Sequence, residues 1–293
     1  MRHEPRRDSR GILDPDRLLR QVRFRRRLPD PALRPWVEHY WLIDWDLTGP
    51  FDQHVVPHPA VNVVFQAQDG AAEHGEIAGV DTGLFTVTLH GAGRVTGVQF
   101  RPGGFRPFWR RPVAELTGRR IPLAPARSPD ARLPAGAGRP AGTGRPAGAG
   151  LTAGAGPVCP GGDDERCRRL DDLLTGWAPA PDPVTTEAVA LVEEIRADRS
   201  VLRVADLARR HTASTRRLQR LFLDHVGVGP KWVIRRYRLQ EAIEQATAGP
   251  LDWSRIAADL GYADQAHLVR EFTAVAGVSP AAYARSLAAS RGA

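Results

Sequence analysis

Apolar positions change their period along this chain of 293 residues. From Phe24 to about Leu123 they come in short β-rich runs: His54-Val55-Val56, Val61-Asn62-Val63-Val64-Phe65, Leu84 to Leu89 and Val95 to Phe100. Gly, Pro and Asp separate these runs, the pattern of strands joined by turns. Pro31 to Trp41 reads as a helical turn running into a strand, with short helical pieces at Phe105–Trp109 and Val113–Leu116. Residues 23–126 are therefore predicted to form an antiparallel β-rich domain, barrel-like or sandwich-like. From Val184 onward the spacing becomes helical. Helices are predicted at Val184–Ala197, Val204–His211, from an N-cap at Ser214, at Lys231–Ala248, Trp253–Leu260, Asp264–Val275 and Pro280–Leu287. The expected fold class is α+β with two domains, the second an all-α unit of seven helices over 184–288.

Between the two lies a stretch, 127–163, rich in Ala, Gly, Pro and Arg, with near repeats at Gly138-Arg139-Pro140-Ala141-Gly142 and Gly144-Arg145-Pro146-Ala147-Gly148. It lacks the apolar residues for a core and reads as a linker. A connecting helix over 164–178 follows, with Leu170, Leu173, Leu174 and Trp177 on one side. Packing back onto a domain is its expected role; dimerisation is the alternative. Residues 1–22 read as a basic, disordered arm.

The helical half repeats itself. Leu218-x-Arg220-x-Phe222 followed by Gly227-Val228-Gly229-Pro230 recurs fifty residues later as Leu268-x-Arg270-x-Phe272 followed by Gly277-Val278-Ser279-Pro280. Leu207-Ala208 corresponds to Ile256-Ala257. Two matched helix–turn–helix units suit the reading of two neighbouring segments of DNA groove. In the second, Ala257-x3-Gly261 supplies a small residue for close helix approach and a glycine for a left-handed turn. The first has Thr212 at the glycine position, a departure costing ~1 kcal/mol if φ is positive there.

Net charge is +8, which favours a polyanionic partner. Forty of the 41 basic residues are arginine, so composition alone says little and position says more. On a helix starting at Ser214, Leu218 and Phe222 face inward, leaving Arg216, Arg217, Gln219 and Arg220 outside. Arginine can grip guanine and glutamine adenine with two hydrogen bonds each. On the second helix Gln265, Ala266, His267, Val269 and Arg270 are outside; Ala266 and Val269 suit a thymine methyl. The intervening helix, at ~1.5 Å per residue, spans roughly 28 Å, near the ~34 Å between successive major-groove segments. Arg235, Arg236 and Arg238 along it are candidate phosphate contacts.

The run Gly229-Pro230-Lys231-Trp232-Val233-Ile234-Arg235-Arg236-Tyr237-Arg238-Leu239-Gln240-Glu241-Ala242 resembles the linker helix of AraC-type transcription regulators. Leu260-Gly261-Tyr262-Ala263-Asp264-Gln265-Ala266-His267-Leu268-Val269-Arg270-Glu271-Phe272, with Gly277-Val278-Ser279-Pro280-x2-Tyr283, resembles their second unit. The resemblance covers about 184–288 and implies two recognition helices, beginning near Ser214 and Asp264. Position by position it makes Arg216, Gln219, Arg220, Gln265, Ala266 and Arg270 base-facing. Ser214, Arg217, Arg235, Arg236, Arg238 and His267 become the phosphate set. Residues 22–125 resemble a poorly characterised domain that often precedes this module, through Pro35–Trp41, Val56–Phe65 and Val98–Phe105. By analogy that domain senses a small molecule or mediates homodimerisation. The implied partners are double-stranded DNA, a small-molecule effector, a second copy and RNA polymerase.

Other groups bear on an alternative, a ligand- or metal-binding β-barrel enzyme with a DNA-binding tail. His54-x3-His58 is the one close pair among His39, His54, His58, His74 and His90, and hydrogen-bonded or surface histidines are the expected reading. Gly103-Gly104 reads as a tight turn, with an anion cradle as the alternative. Trp36, Tyr40, Trp41, Trp45 and Trp109 read as aromatic core, with a pocket wall as the alternative. No catalytic constellation, cofactor motif or metal site is expected. Cys159 and Cys167 read as incidental thiols of a reduced, cytoplasmic chain. Met1 to Arg27 carries ten arginines and no apolar h-region, so no secretory signal is expected.

Overall fold

The computed structural model describes residues 5–6, 12–123, 151, 156–248 and 252–285. The front half is one antiparallel sheet of seven strands: β1 (Pro5–Arg6), β2 (Val22–Arg27), β3 (Val37–Val55), β4 (Asn62–Gln68), β5 (His74–Ala78), β6 (Phe85–Phe100) and β7 (Arg120–Pro122). Their order is β1-β2-β3-β6-β4-β5-β7. The antiparallel, β-rich expectation holds, but closure does not: the outer strands β1 and β7 do not pair, so the sheet is open. The two runs Leu84–Leu89 and Val95–Phe100 are parts of a single strand. His90 to Arg94 looks like a turn in sequence, yet Gly91, Ala92 and Gly93 pair with Leu47, Asp46 and Trp45 of β3.

Helices follow the sheet and precede it. The predicted arm is ordered over α1 (Pro15–Gln21), whose N-cap Asp14 accepts from the Arg17 amide and whose Leu18 is buried. Residues 1–4 and 7–11 lie outside the described residues. The short α2 (Arg106–Trp109) and two 3-10 turns, Pro31–Leu33 and Val113–Leu116, sit where predicted. Gly103 turns the chain with φ +91°, and a Cβ there would press on Ala188. Then come α3 (Asp163–Trp177), α4 (Pro183–Ala197), α5 (Val204–Arg210), α6 (Thr215–His225), α7 (Pro230–Ala248), α8 (Trp253–Asp259) and α9 (Gln265–Ala276). Residues 280–285 are helical again. Asp182 caps α4, Ser214 α6, Asp252 α8 and Asp264 α9 through side-chain oxygens.

Period-two alternation gives the sheet two apolar faces. Tyr40, Leu42, Val63, Phe65, Val98 and Phe100 form one core, covered by Cys167, Leu170 and Leu174 of α3. The connecting helix therefore packs back on the sheet. Arg166 is tolerated there because each guanidinium nitrogen has a partner: it donates to Thr96 Oγ1 (2.7 Å), the Val95 carbonyl (2.6 Å) and Asp44 Oδ1 (2.8 Å). Most of the predicted linker lies outside the described residues. Its last part does not behave as a spacer, since Val158 and Cys159 are buried in this core and Glu73 accepts from both their amides. Neither cysteine is incidental. Both are packed thiols, pushed up to about 12 by burial first of all.

The sheet docks on both helical units. Val80, on the β5–β6 loop, is buried in the core of the first unit beside Leu191, Leu218 and Phe222. Leu13 and Val56 join the core of the second beside Leu239, Leu268 and Phe272, with Leu84 packed against it. Polar contacts reinforce this: Thr117 Oγ1 donates to the Gly227 carbonyl at 2.7 Å, and Arg106 pairs with Asp224 at 3.1 Å.

Candidate nucleic-acid interface

The first unit is α5, a turn and α6. Ala208 packs beneath the turn, and Thr212 adopts φ +48°, the left-handed conformation that glycine takes in the second unit. There α8 and α9 flank Gly261 at φ +74°. The matching turns show that the duplication in sequence is a duplication in backbone. On α6, Leu218 and Phe222 are fully buried; on α9, so are Leu268 and Phe272. The opposite faces are open. Arg216, Gln219 and Arg220 are exposed on α6, and Gln265, Ala266 and Arg270 on α9. Gln265 accepts from Ser254 Oγ at 2.8 Å, which orients its amide.

The residues assigned to phosphates divide. Ser214 caps α6 by accepting from the Arg217 amide, and Asp264 does the same for His267. Arg217 is exposed but gripped by Glu187 of α4 through two 2.7 Å hydrogen bonds, which hold that carboxyl below its usual range. Arg235 is exposed and pairs with Glu271 of α9 at 3.0 Å; the His267 ring lies 3.3 Å from the same carboxylate.

Arg236 and Arg238 are not on the surface. Each is about 3% exposed. Arg236 donates to the Thr82 carbonyl of the β5–β6 loop at 2.8 Å and lies over the Trp232 ring; burial brings it down to about 10. Arg238 donates to the carbonyls of Ile195 and Asp198 at the end of α4 and to Glu241. The assumption of one solvated face fails because α7 is covered on one side by the sheet's loop and on another by α4. Arg236 ties α7 to the sheet domain, and Arg238 ties it to α4 within the helical domain.

A second feature was only partly legible. The sheet face opposite α3 borders a cavity of about 510 Å³, within the range of small-molecule sites. Trp41 and Trp45 line it, whereas Trp36, Tyr40 and Trp109 are core. Its far wall comes from the helical half: Arg196 and Ala197 of α4, Tyr237, Arg238 and Glu241 of α7. Glu38 of β3 joins the two sides, accepting from Gln99 at 3.0 Å and from Arg196 at 3.2 Å. His54 and His58 diverge: His54 Nδ1 lies 3.0 Å from Thr86 Oγ1, and His58 Nε2 lies 3.3 Å from the Tyr237 hydroxyl. Among the described residues no three His, Cys, Asp or Glu side chains cluster as metal ligands, and no helix is long and apolar enough to cross a membrane.

Residues 207–286 match a family model described as a helix-turn-helix domain, the model of the AraC-type module. Residues 207–286 are an AraC-type helix-turn-helix domain. Residues 25–122 match a domain of unknown function (DUF6597). An AraC-type module behind an antiparallel β domain makes the chain a DNA-binding transcription regulator. No curated protein matches it. Three solved structures of ToxT from Vibrio cholerae align with most of its length. An apo single-substitution variant from strain SCE256 shares 11% identity at TM-score 0.38, covering 85% of this chain and 97% of that one. A 1.65 Å structure shares 9% at TM-score 0.36, covering 84% and 97%. The wild type of strain SCE256, bound to unsaturated fatty acid, shares 10% at TM-score 0.37, covering 84% and 94%. At these scores the alignments carry no argument about the AraC-type module or its ligands.

Proposed function

We propose that the chain reads two adjacent major-groove segments of double-stranded DNA, one with α6 and one with α9, under the control of a small molecule held between the sheet and α7. Arg216, Gln219 and Arg220 read bases in the first segment; Gln265, Ala266 and Arg270 read the second. Ser214, Arg217, Arg235 and His267 face phosphates. The observation that carries this is the pairing of two matching left-handed turns with two open, polar helix faces on either end of α7. The regulatory part rests on the cavity, because its far wall belongs to the helix that spaces the two readers. RNA polymerase and a second copy of the chain remain proposed partners.

The test is nuclease footprinting of the full-length protein on DNA upstream of its own and neighbouring genes, across a salt series. Two protected major-groove segments about one helical turn apart are expected, with affinity falling steeply as salt rises. Salt-sensitive binding without a protected site would refute sequence reading.

A further inference from the structure

Two tryptophans of β3 rest on two glycines of β6. Trp41 pairs with Gly97 and Trp45 with Gly93. A Cβ at Gly97 would come within 2.0 Å of the Trp41 ring, and one at Gly93 within 2.3 Å of the Trp45 ring. Each indole therefore lies down against the neighbouring strand instead of standing off the sheet. Both ring N–H groups are committed, Trp41 to Asn62 Oδ1 at 3.2 Å and Trp45 to the His90 carbonyl at 3.0 Å. With Ile43 between them, the rings make an apolar floor roughly 13 Å long at ~3.3 Å per residue. All three side chains line the cavity.

The charges around this floor are mostly neutralised already. Glu38 pairs with Arg196, Glu76 with Arg120, and Glu241 with Arg199 and Arg238. The Arg26 guanidinium sits over the Phe24 ring. Asp81, on the β5–β6 loop, also lines the cavity and has no ion-pair partner among the described residues. Away from Asp81, an ion entering along the floor would lose its hydration without gaining a free counter-charge. What the wall does offer is uncharged. The side-chain amides of Gln53, Gln66 and Gln99 donate to neighbours, and their oxygens accept nothing among the described residues. Open acceptors beside a flat apolar floor suit a ligand that brings its own donors.

We propose that the cavity takes an uncharged, planar aromatic molecule that lies against Trp41 and Trp45 and donates hydroxyl or N–H hydrogen bonds to the amide wall. This rests on the reading of the cavity as the effector site, and the test separates the two. Isothermal titration calorimetry on the full-length protein compares four probes of one shape: 2-naphthalenemethanol, 2-naphthoate, 2-naphthylmethylammonium and the fully saturated decahydro-2-naphthalenemethanol. The neutral aromatic alcohol is expected to bind at least about tenfold more tightly than each of the others, ~1.4 kcal/mol. In Trp41→Leu that advantage over the saturated alcohol should shrink to within a few-fold. Tighter binding of either ion would overturn the uncharged class, and equal binding of the saturated alcohol would overturn the aromatic floor. Binding by none of the four would remove the cavity as an effector site altogether.

Discussion

Replacing Glu38 by Gln isolates one charge at the junction of sheet and helices. The carboxyl is about 7% exposed. Burial is the largest influence on it and pushes its pKa up, but the nearby His58 and His39, the Gln99 amide and Arg196 together more than reverse this, bringing it from 4.5 to about 2. A carboxyl held lower in the folded state contributes stability above its unfolded value and loses it as pH falls through the folded one. The gap corresponds to roughly 3 kcal/mol above pH 4.5, of which about 2 kcal/mol is gone by pH 3. Glu38→Gln keeps the shape and removes the titration, so any cost of the amide itself is a constant offset. The assay is urea unfolding of both proteins at half-unit steps from pH 6 to pH 3. Wild type should lose about 2 kcal/mol more than the variant across that range. A difference between them that stays flat with pH would refute the argument that Glu38 is held ionised by its neighbours.

Arg220→Ala should weaken binding to the footprinted site by ~1–3 kcal/mol and relax one base position; equal weakening on random DNA would contradict base reading. Arg236→Ala should lower thermal stability by an amount worth ~1–3 kcal/mol, because it empties a buried interdomain position, whereas exposed Arg235→Ala should stay within ~0.5 kcal/mol. The reverse order in melting temperature would contradict their assigned places. Gly261→Ala should cost ~1–2 kcal/mol in denaturant unfolding, since φ is positive there and the new Cβ would meet Leu202 at 2.9 Å. At the equivalent turn Thr212→Gly should be neutral or stabilising by up to ~1 kcal/mol, and a clear loss would show that threonine is not strained.

What was readable in the sequence follows from how locally each feature is determined. The paired turns were readable because a small residue, a left-handed position and two inward apolar side chains all fall within fifteen residues of one another. Caps at Ser214 and Asp264 were readable for the same reason. The single strand β6 was not, because Gly91 and Gly93 mimic a turn, and only the indole of Trp45 across the ladder explains a glycine there. The matching spacing of Trp41-x3-Trp45 and Gly93-x3-Gly97 was a usable signal for the aromatic floor. The burial of Arg236 and Arg238 had no local signal. Their partners, Thr82 and the end of α4, lie 154 and some 40 residues away.

Arg238 also bears on how a ligand would act on DNA recognition. A small molecule shifts a conformational equilibrium only by binding one arrangement better than another. A cavity enclosed within the sheet would give it no such leverage on the readers. Here the wall includes Arg196, Tyr237, Arg238 and Glu241, so a ligand held there would touch α4 and α7 directly. The sheet domain also grips each unit separately, the first through Thr117 and Arg106, the second through Leu13 and Val56. The spacing of α6 and α9 is therefore set by α7 and the sheet jointly. On the proposed reading, a ligand that wedges the sheet from α7 alters that spacing, and so acts on recognition of a two-segment site more than on either segment alone.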